Sequence, residues 1–449
     1  MNQPIINGEV APASIDTALD PSTRRGLGLR NGALGPVFCL MALLTCLGCG
    51  CASYKPGPAS YRPYLERAIT KSTGPITASV VVLNRDEAER TFGLPLHKRN
   101  IQPVWLRLQN ASTNQYYFLP VGLDPDYHPS AEVAYMYRKA LNPSRNRKIA
   151  EAMEHWEIPI ALPATGSNEG FVFSNYDPGA KFVRIDVHGN GEHYVLEFSA
   201  PVPGRRLDYQ RVDFATLYDS VDFPDLDLAA FREAVEDLPA NTTDKRGNGG
   251  GDPLNLVVVA DEHDEFGRAL LRNNWDVTEA LTLGNALRLV RAFVVQSEWR
   301  TSPVSSLYVF GRPQDLAMQK ARATIHQRNH LRLWLAPFTV EGRHVMVGQI
   351  SRDIGLRFSF KAPGFWTHKI DPDTDEARDY LAQEMLLSGS VGRLAWMQGV
   401  GPRTRDDPGR NLTGDPWWTD GRRVILFLTA QQIEPAQVEL MDWSSDTGN

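Results

Sequence analysis

Beyond Cys51 this 449-residue chain contains no cysteine at all: Cys39, Cys46, Cys49 and Cys51 fall within thirteen residues of one another. The body of the protein therefore has no disulfide of its own, no sulfur-ligated zinc and no thiol nucleophile. Neither sign of charge dominates. A net charge of −6 with 22% charged residues carries no global signature of a nucleic-acid binder. Several motifs are missing too. There is no G-x-S-x-G elbow, no Walker sequence and no dinucleotide fingerprint. Gln327, between His326 and His330, stands where the metalloprotease H-E-x-x-H pattern needs glutamate. The glycine run in "NTTDKRGNGGGDP" (residues 241–253) follows no strand and precedes no Gly-Lys-Ser/Thr, so it reads as a linker and not a phosphate loop.

What is present begins with a targeting signal. Arg24, Arg25 and Arg30 precede the apolar run "ALGPVFCLMALLTCLG" (33–48), which Gly35 and Pro36 interrupt and which falls short of the roughly 20 apolar residues of a spanning helix. A basic segment, a short apolar segment and the small-residue exit "TCLGCGCAS" describe a secretory signal. The exit resembles a bacterial lipobox, with Cys49 or Cys51 as the lipidated residue, and an uncleaved membrane anchor is the alternative. Residues 1–51 read as a disordered leader plus this anchor, and 52–76, opening on the Pro-rich "ASYKPGPASYRP", as a tether.

From 77 to 240 short alternating runs dominate. In "VWLRLQ" Val104, Leu106 and Leu108 face one way and Trp105, Arg107 and Gln109 the other. "HGNGEH" between two such runs signals a hairpin. These features predict a mainly β domain, sandwich-like, with a helical insertion through "AEVAYMYRKAL" and "NRKIAEAMEHW" and a closing helix at 228–238. After the linker, residues 254–435 mix doubly apolar strands ("LVVV", "VILFL") with helical stretches, predicting an α+β or α/β domain on a mixed sheet, followed by a tail from 436 to 449.

The chemistry-bearing residues concentrate in the second domain. In "HLRLWLA" a strand puts Leu331, Leu333 and Leu335 on one face and His330, Arg332 and Trp334 on the other, joined by His326 and Arg328 if it starts earlier. Between Glu298 and Ile370 eleven Lys and Arg face four Asp and Glu, a local net of +7. Arginines on a strand hold fixed directions and their planar forks suit phosphate or carboxylate, so Arg312, Arg328, Arg332 and Trp334 form a candidate anion-binding face. Solvated scatter of the same charges, and a local Arg312–Asp315 ion pair, are the plainer accounts. A catalytic reading gathers His330, Asp353, His368 and Asp371 around a divalent cation, although Asp371 and Pro372 equally suit a helix N-cap and first residue.

The blocks "SSLYVFGRPQDLAMQKARATIHQRNHLRLW", "VGQISRDIGL" and "THKIDPDTDEARDYL" resemble the LssY C-terminal domain family over roughly residues 253–435. Arg312, Asp315, His330, Arg332, Trp334, His368, Asp371 and Arg378 match its pattern. The resemblance implies a bacterial envelope context and assigns no residue a role. In that family the domain stands alone or is appended to polytopic membrane proteins of the DedA or phosphatidic-acid-phosphatase kind. No such portion is visible here, so phosphatase activity is not carried over. The resulting expectation is an envelope protein, anchored to a membrane and facing the periplasm. Its C-terminal domain would be a binding or accessory module for an anionic lipid, phosphate or glycan, with no cofactor, no metal and no nucleic acid. A metal-assisted hydrolase of a phosphorylated or lipid-linked substrate is the rival reading, and a structural scaffold the third.

Overall fold

Short strands with a period of two assemble the first half of the chain. The computed structural model describes residues 54–443 except 59, 178, 205–211, 213–216, 218–222, 263–264, 279–303, 322–327 and 359–365. The lipobox cysteines, His326 and one of the helical stretches expected within 254–435 (residues 280–296) lie outside the described residues. Strand β1 (Ile69–Thr73) turns through Gly74, at φ +52°, into β2 (Ile76–Val82). Helix α1 (Arg85–Phe92) follows, opened by an Asn84–Glu87 capping box and closed by Gly93 in the left-handed region. Then come β3 (Ile101–Asn110), β4 (Tyr116–Phe118), α2 (Pro120–Leu123), α3 (Ser130–Met136) and α4 (Pro143–Trp156). Strands β5 (Ala161–Leu162), β6 (Ser167–Asn175), β7 (Ala180–Gly189) and β8 (Glu192–Pro201) complete the region.

They form two four-stranded sheets, β1–β2–β3–β6 and β5–β4–β7–β8. Val80, Val104, Leu106 and Leu108 of the first meet Tyr116, Val183, Ile185 and Phe198 of the second in one core. The opposite face of the first sheet, carrying Val81, Trp105, Phe171 and Phe173, is covered by α1, α3 and α4 through Phe92, Val133, Ile149 and Met153. This is the sandwich with a helical insertion. The β7–β8 hairpin turns on Asn190 and Gly191, both at positive φ, as a two-residue primed turn requires.

The second half is one ten-stranded mixed sheet. Its elements are β9 (Asp225–Leu226), α5 (Leu228–Glu236), β10 (Leu256–Ala260), α6 (Glu265–Arg272) and β11 (Asp276–Val277). A small hairpin, β12 (Tyr308–Val309) with β13 (Arg312–Pro313), stands apart from it. Next are β14 (Leu316–Ala321), β15 (Arg328–Val340), β16 (Arg343–Phe358), β17 (Trp366–Ile370), α7 (Thr374–Leu387) and β18 (Val391–Gln398). A second small hairpin joins β19 (Gly409–Arg410) to β20 (Pro416–Trp417), and β21 (Arg422–Leu428) and β22 (Glu439–Met441) end the chain. The order is β11–β14–β15–β16–β10–β21–β18–β22, with β17 on β16 and β9 on β15. Helices α6 and α7 cover one face through Phe266, Leu270, Leu381 and Met385; α5 covers the other through Phe231 and Val235.

Long β16 is shared. Its first part pairs with β10 and its last with β17, so it is a branch point. At that fork the Asn255 amide stands in for a backbone strand: Nδ2 donates to Ile350 O (3.1 Å) and Oδ1 accepts from Ile350 N (3.0 Å). Asn255 is wholly buried, so Asn255→Leu strands both Ile350 groups and should cost about 2–4 kcal/mol in a denaturant melt.

Four boundaries differ from the sequence reading. The expected tether holds β1 and a buried Tyr64, because an edge strand with one wet face shows too little apolar alternation to register. The helix at 228–238 does not close the sandwich; it packs on the second sheet. The linker is packed too, with Thr242 at 0% exposure and Thr242 N donating to Asp252 O (3.0 Å). The tail supplies β22 and places Trp443 against Phe231 and Phe427. Helix α7 also starts at Thr374, so Asp371 precedes its cap, and its Oδ1 accepts from Asp373 N (3.1 Å). Among the described residues no helix is long and apolar enough to cross a membrane.

Candidate functional site

Strand β15 forms as its alternation requires, but both of its faces are buried. Leu331, Leu333 and Leu335 enter the core under α6 and α7. On the opposite face Trp334, Ala336, Phe338 and Val340 enter the core under α5, and Arg328, His330 and Arg332 continue that face toward the β16–β17 fork. The face expected to be polar is thus half apolar core and half a buried polar layer. Trp334 is at 0% exposure with Nε1 donating to Arg312 O (3.3 Å), which makes it a core residue and not a ligand platform.

The polar layer is built from cross-strand pairs. Arg328 stands opposite Asp353, His330 opposite Ser351 and Arg332 opposite Gln349 on β16, and His330 faces Gln319 on β14. Asp353 is the hub. His330 Nε2 lies 2.6 Å from its Oδ2, His368 Nδ1 3.1 Å and Arg328 Nε 3.4 Å. Arg328 also donates to Gln319 Oε1 (2.6 Å) and His368 Nε2 (3.1 Å). Arg332 donates to Ser305 O (3.1 Å) and Gln349 Oε1 (2.7 Å). In this layer His330 Nδ1 and Gln349 Nε2 make no hydrogen bond, and near Arg332 neither does Asp252 Oδ1.

Electrostatics fixes the charge states. Burial would raise the Asp353 carboxyl, but the two imidazoles and Arg328 more than offset it and hold it well below the usual carboxylate range. Burial and the Arg328 charge push His330 down from 6.5 to about 4 against the pull of Asp353. His330 is therefore a neutral ring at physiological pH, and it is Arg328 that balances the Asp353 charge. Burial lowers Arg328 to about 10, still protonated near neutrality. Burial raises the Asp252 carboxyl, against the pull of Arg332 and a hydrogen bond from Asn411.

These shifts have one sign in acid. A histidine depressed in the fold takes its proton first in the unfolded chain, so its contribution is complete above 6.5 and is lost as pH falls toward 4. Asp353, also depressed, adds a further loss below the ordinary carboxylate range. The difference in unfolding free energy between wild type and His330→Gln should therefore shrink steadily from pH 7 to pH 4. A pH-independent difference would contradict a neutral His330.

Of the four candidate catalytic residues, three converge: His330, Asp353 and His368. Asp371 does not join them; it bonds within its own turn, and its backbone N donates to Arg352 O (2.7 Å). The guanidinium of Arg328 lies between Asp353 and His368, where a cation bound by that pair would sit. Among the described residues no group of three His, Cys, Asp or Glu is placed to hold a metal ion. The candidate anion-binding arginines are partnered. Arg312 makes a two-pronged pair with Asp315 (3.0 and 2.8 Å) and donates to Leu335 O (2.7 Å), clamping β15 beside its bulge. Gln319, Gln349 and Asp252 escaped sequence reasoning. Their signal was a polar residue at an inward position of an otherwise apolar strand or loop.

Residues 232–422 match the family model described as LssY C-terminus. Comparison with curated proteins found no match.

Proposed function

From the premise that residues 232–422 are an LssY C-terminal domain, we propose that this protein is a membrane-held component of the bacterial envelope whose C-terminal domain binds an anionic group. The ligand class is a phosphate, carried by a lipid headgroup, a glycan or a free ion. The observation that carries this reading is the polar layer on β15. Two guanidinium groups flank His330 on one strand face, and Gln349 Nε2 beside them is a buried donor without an acceptor. Buried donors are nearly always satisfied, and a donor left over beside a guanidinium suits an anionic acceptor. Lipidation at Cys49 or Cys51 supplies the membrane attachment in this reading.

Calorimetric titration of the full chain in detergent micelles, with inorganic phosphate and with vesicles rich in anionic phospholipid, tests the binding. Saturable binding that weakens at least about tenfold in Gln349→Leu is the expected result. No heat with either probe would end this reading. In cells, Cys49→Ser or Cys51→Ser should abolish acylation and release the protein from membranes, whereas retention of the double variant on membranes would refute lipidation. A hydrolase is the second reading, favoured by one observation: His330, Asp353 and His368 share a single carboxylate oxygen as their meeting point.

A further inference from the structure

We propose that His330 Nδ1 is a nucleophile that accepts a phosphoryl group from a phosphomonoester, with Asp353 as its positioning residue. The proposal rests on the anion-binding reading above and names what that site does with its ligand.

Geometry makes Nδ1 the reactive atom. Nε2 is 2.6 Å from Asp353 Oδ2 and the carboxylate accepts its proton, so Nδ1 carries the lone pair and points away from Asp353. That atom is buried and has no hydrogen-bond partner, in a residue only 5% exposed. Around it stand the groups that phosphoryl transfer needs. Arg328 and Arg332 lie two residues to either side on the same face, and Gln319 and Ser351 are its cross-strand neighbours. Gln349, at 0% exposure, offers its unpartnered Nε2 one pair further along the sheet. Catalysis of this transfer is mainly positioning and charge stabilisation, which buried guanidinium and amide donors on rigid strands provide.

The step balances without a co-reactant beyond water. The Nδ1 lone pair forms an N–P bond as the P–O bond to the alcohol breaks. The departing alkoxide takes a proton from water. Asp353 stabilises the charge that develops on the imidazole. The hydroxide so formed attacks phosphorus, the N–P bond breaks with its electron pair returning to Nδ1, and inorganic phosphate leaves. Serine nucleophiles need an adjacent base to activate them; a neutral imidazole does not.

The test uses the full chain in detergent micelles with p-nitrophenyl phosphate, followed by quenched intact-mass measurement and nitrophenol release. Wild type should gain one phosphoryl group, stable in base and lost in acid as a phosphoramidate is. His330→Gln keeps an amide N–H for Asp353 but lacks the nucleophile. It should gain none and lose at least about a hundredfold in turnover, while still unfolding in one cooperative transition and binding inorganic phosphate. A phosphoryl group retained in His330→Gln, or wild type that binds phosphate but is never phosphorylated, overturns the nucleophile and leaves the binding reading standing. Wild type that neither binds phosphate nor is phosphorylated overturns both.

Discussion

Arg423→Met should abolish cooperative folding of the C-terminal domain, or lower its unfolding midpoint more than any other single substitution considered. Arg423 has 0% exposure and no carboxylate partner. Its guanidinium is spent on backbone carbonyls: Nε on Leu254 O (2.9 Å), Nη2 on Leu238 O (3.0 Å), Pro239 O (2.7 Å) and Gly399 O (3.0 Å), and Nη1 on Val235 O. Val235 lies in the last turn of helix α5 and Leu238 and Pro239 just follow its end, so the side chain is a C-terminal cap supplied from β21. Burial lowers Arg423 to about 10, and it remains charged near neutrality. Methionine fills much of the volume but leaves these carbonyls unsatisfied, at about 1–3 kcal/mol each, against a total stability of about 5–15 kcal/mol for a typical domain. Arg423→Lys, with three donors and no planar fork, should recover only part. Gly399 depends on the same contact. It sits at φ +151°, and a Cβ there would come 2.6 Å from Arg423 Nη1, so Gly399→Ala should also destabilise. Circular dichroism melts of the full chain would decide; a Met variant melting within a few degrees of wild type would refute the account.

The second large effect concerns the hub of the polar layer. Asp353→Leu strands Arg328 as a buried charge and leaves the His330 N–H without its acceptor, and should cost about 3–5 kcal/mol. The paired variant Arg328→Met, Asp353→Leu removes both charges and should regain most of that loss. A denaturant double-mutant cycle reads this as a coupling energy. Additive losses would mean that the two side chains do not depend on each other.

Periodicity carried most of the architecture. The alternation in "VWLRLQ" and "HLRLWLA" and the turn at Asn190-Gly191 are local facts, and local facts are legible. What escaped was where each face ends up. The His/Arg side of β15 looks like a wet face because charged residues usually are solvated; it is buried because β14, β16 and the segments around Ser305 and Asp252 close over it. Helix α5 follows the sandwich in sequence yet packs beyond it, since its apolar stripe matches the β10–β21 face. His330, Asp353 and His368 were visible as candidates, but their meeting depends on the register of three strands and a bulge between Asp353 and Gly355, which no spacing encodes. Arg423 gave no signal whatever, because "RRVILFL" reads as a strand with a charged beginning.

The parallel pairing of β10 with β21 sets a schedule for folding. Leu256 meets Val424, and Val259 meets Phe427, so the central strand waits for nearly the whole domain before its neighbour exists. At about 5–20 residues per second that wait is roughly ten to thirty seconds of synthesis. Throughout it one edge of Leu256–Ala260 has no partner, although β16 pairs with the other edge once it is made. A chain interrupted before Arg422 would leave that edge open permanently, ready to pair with another like it. Fragments ending short of β21 should accordingly accumulate as aggregates and not as smaller soluble domains.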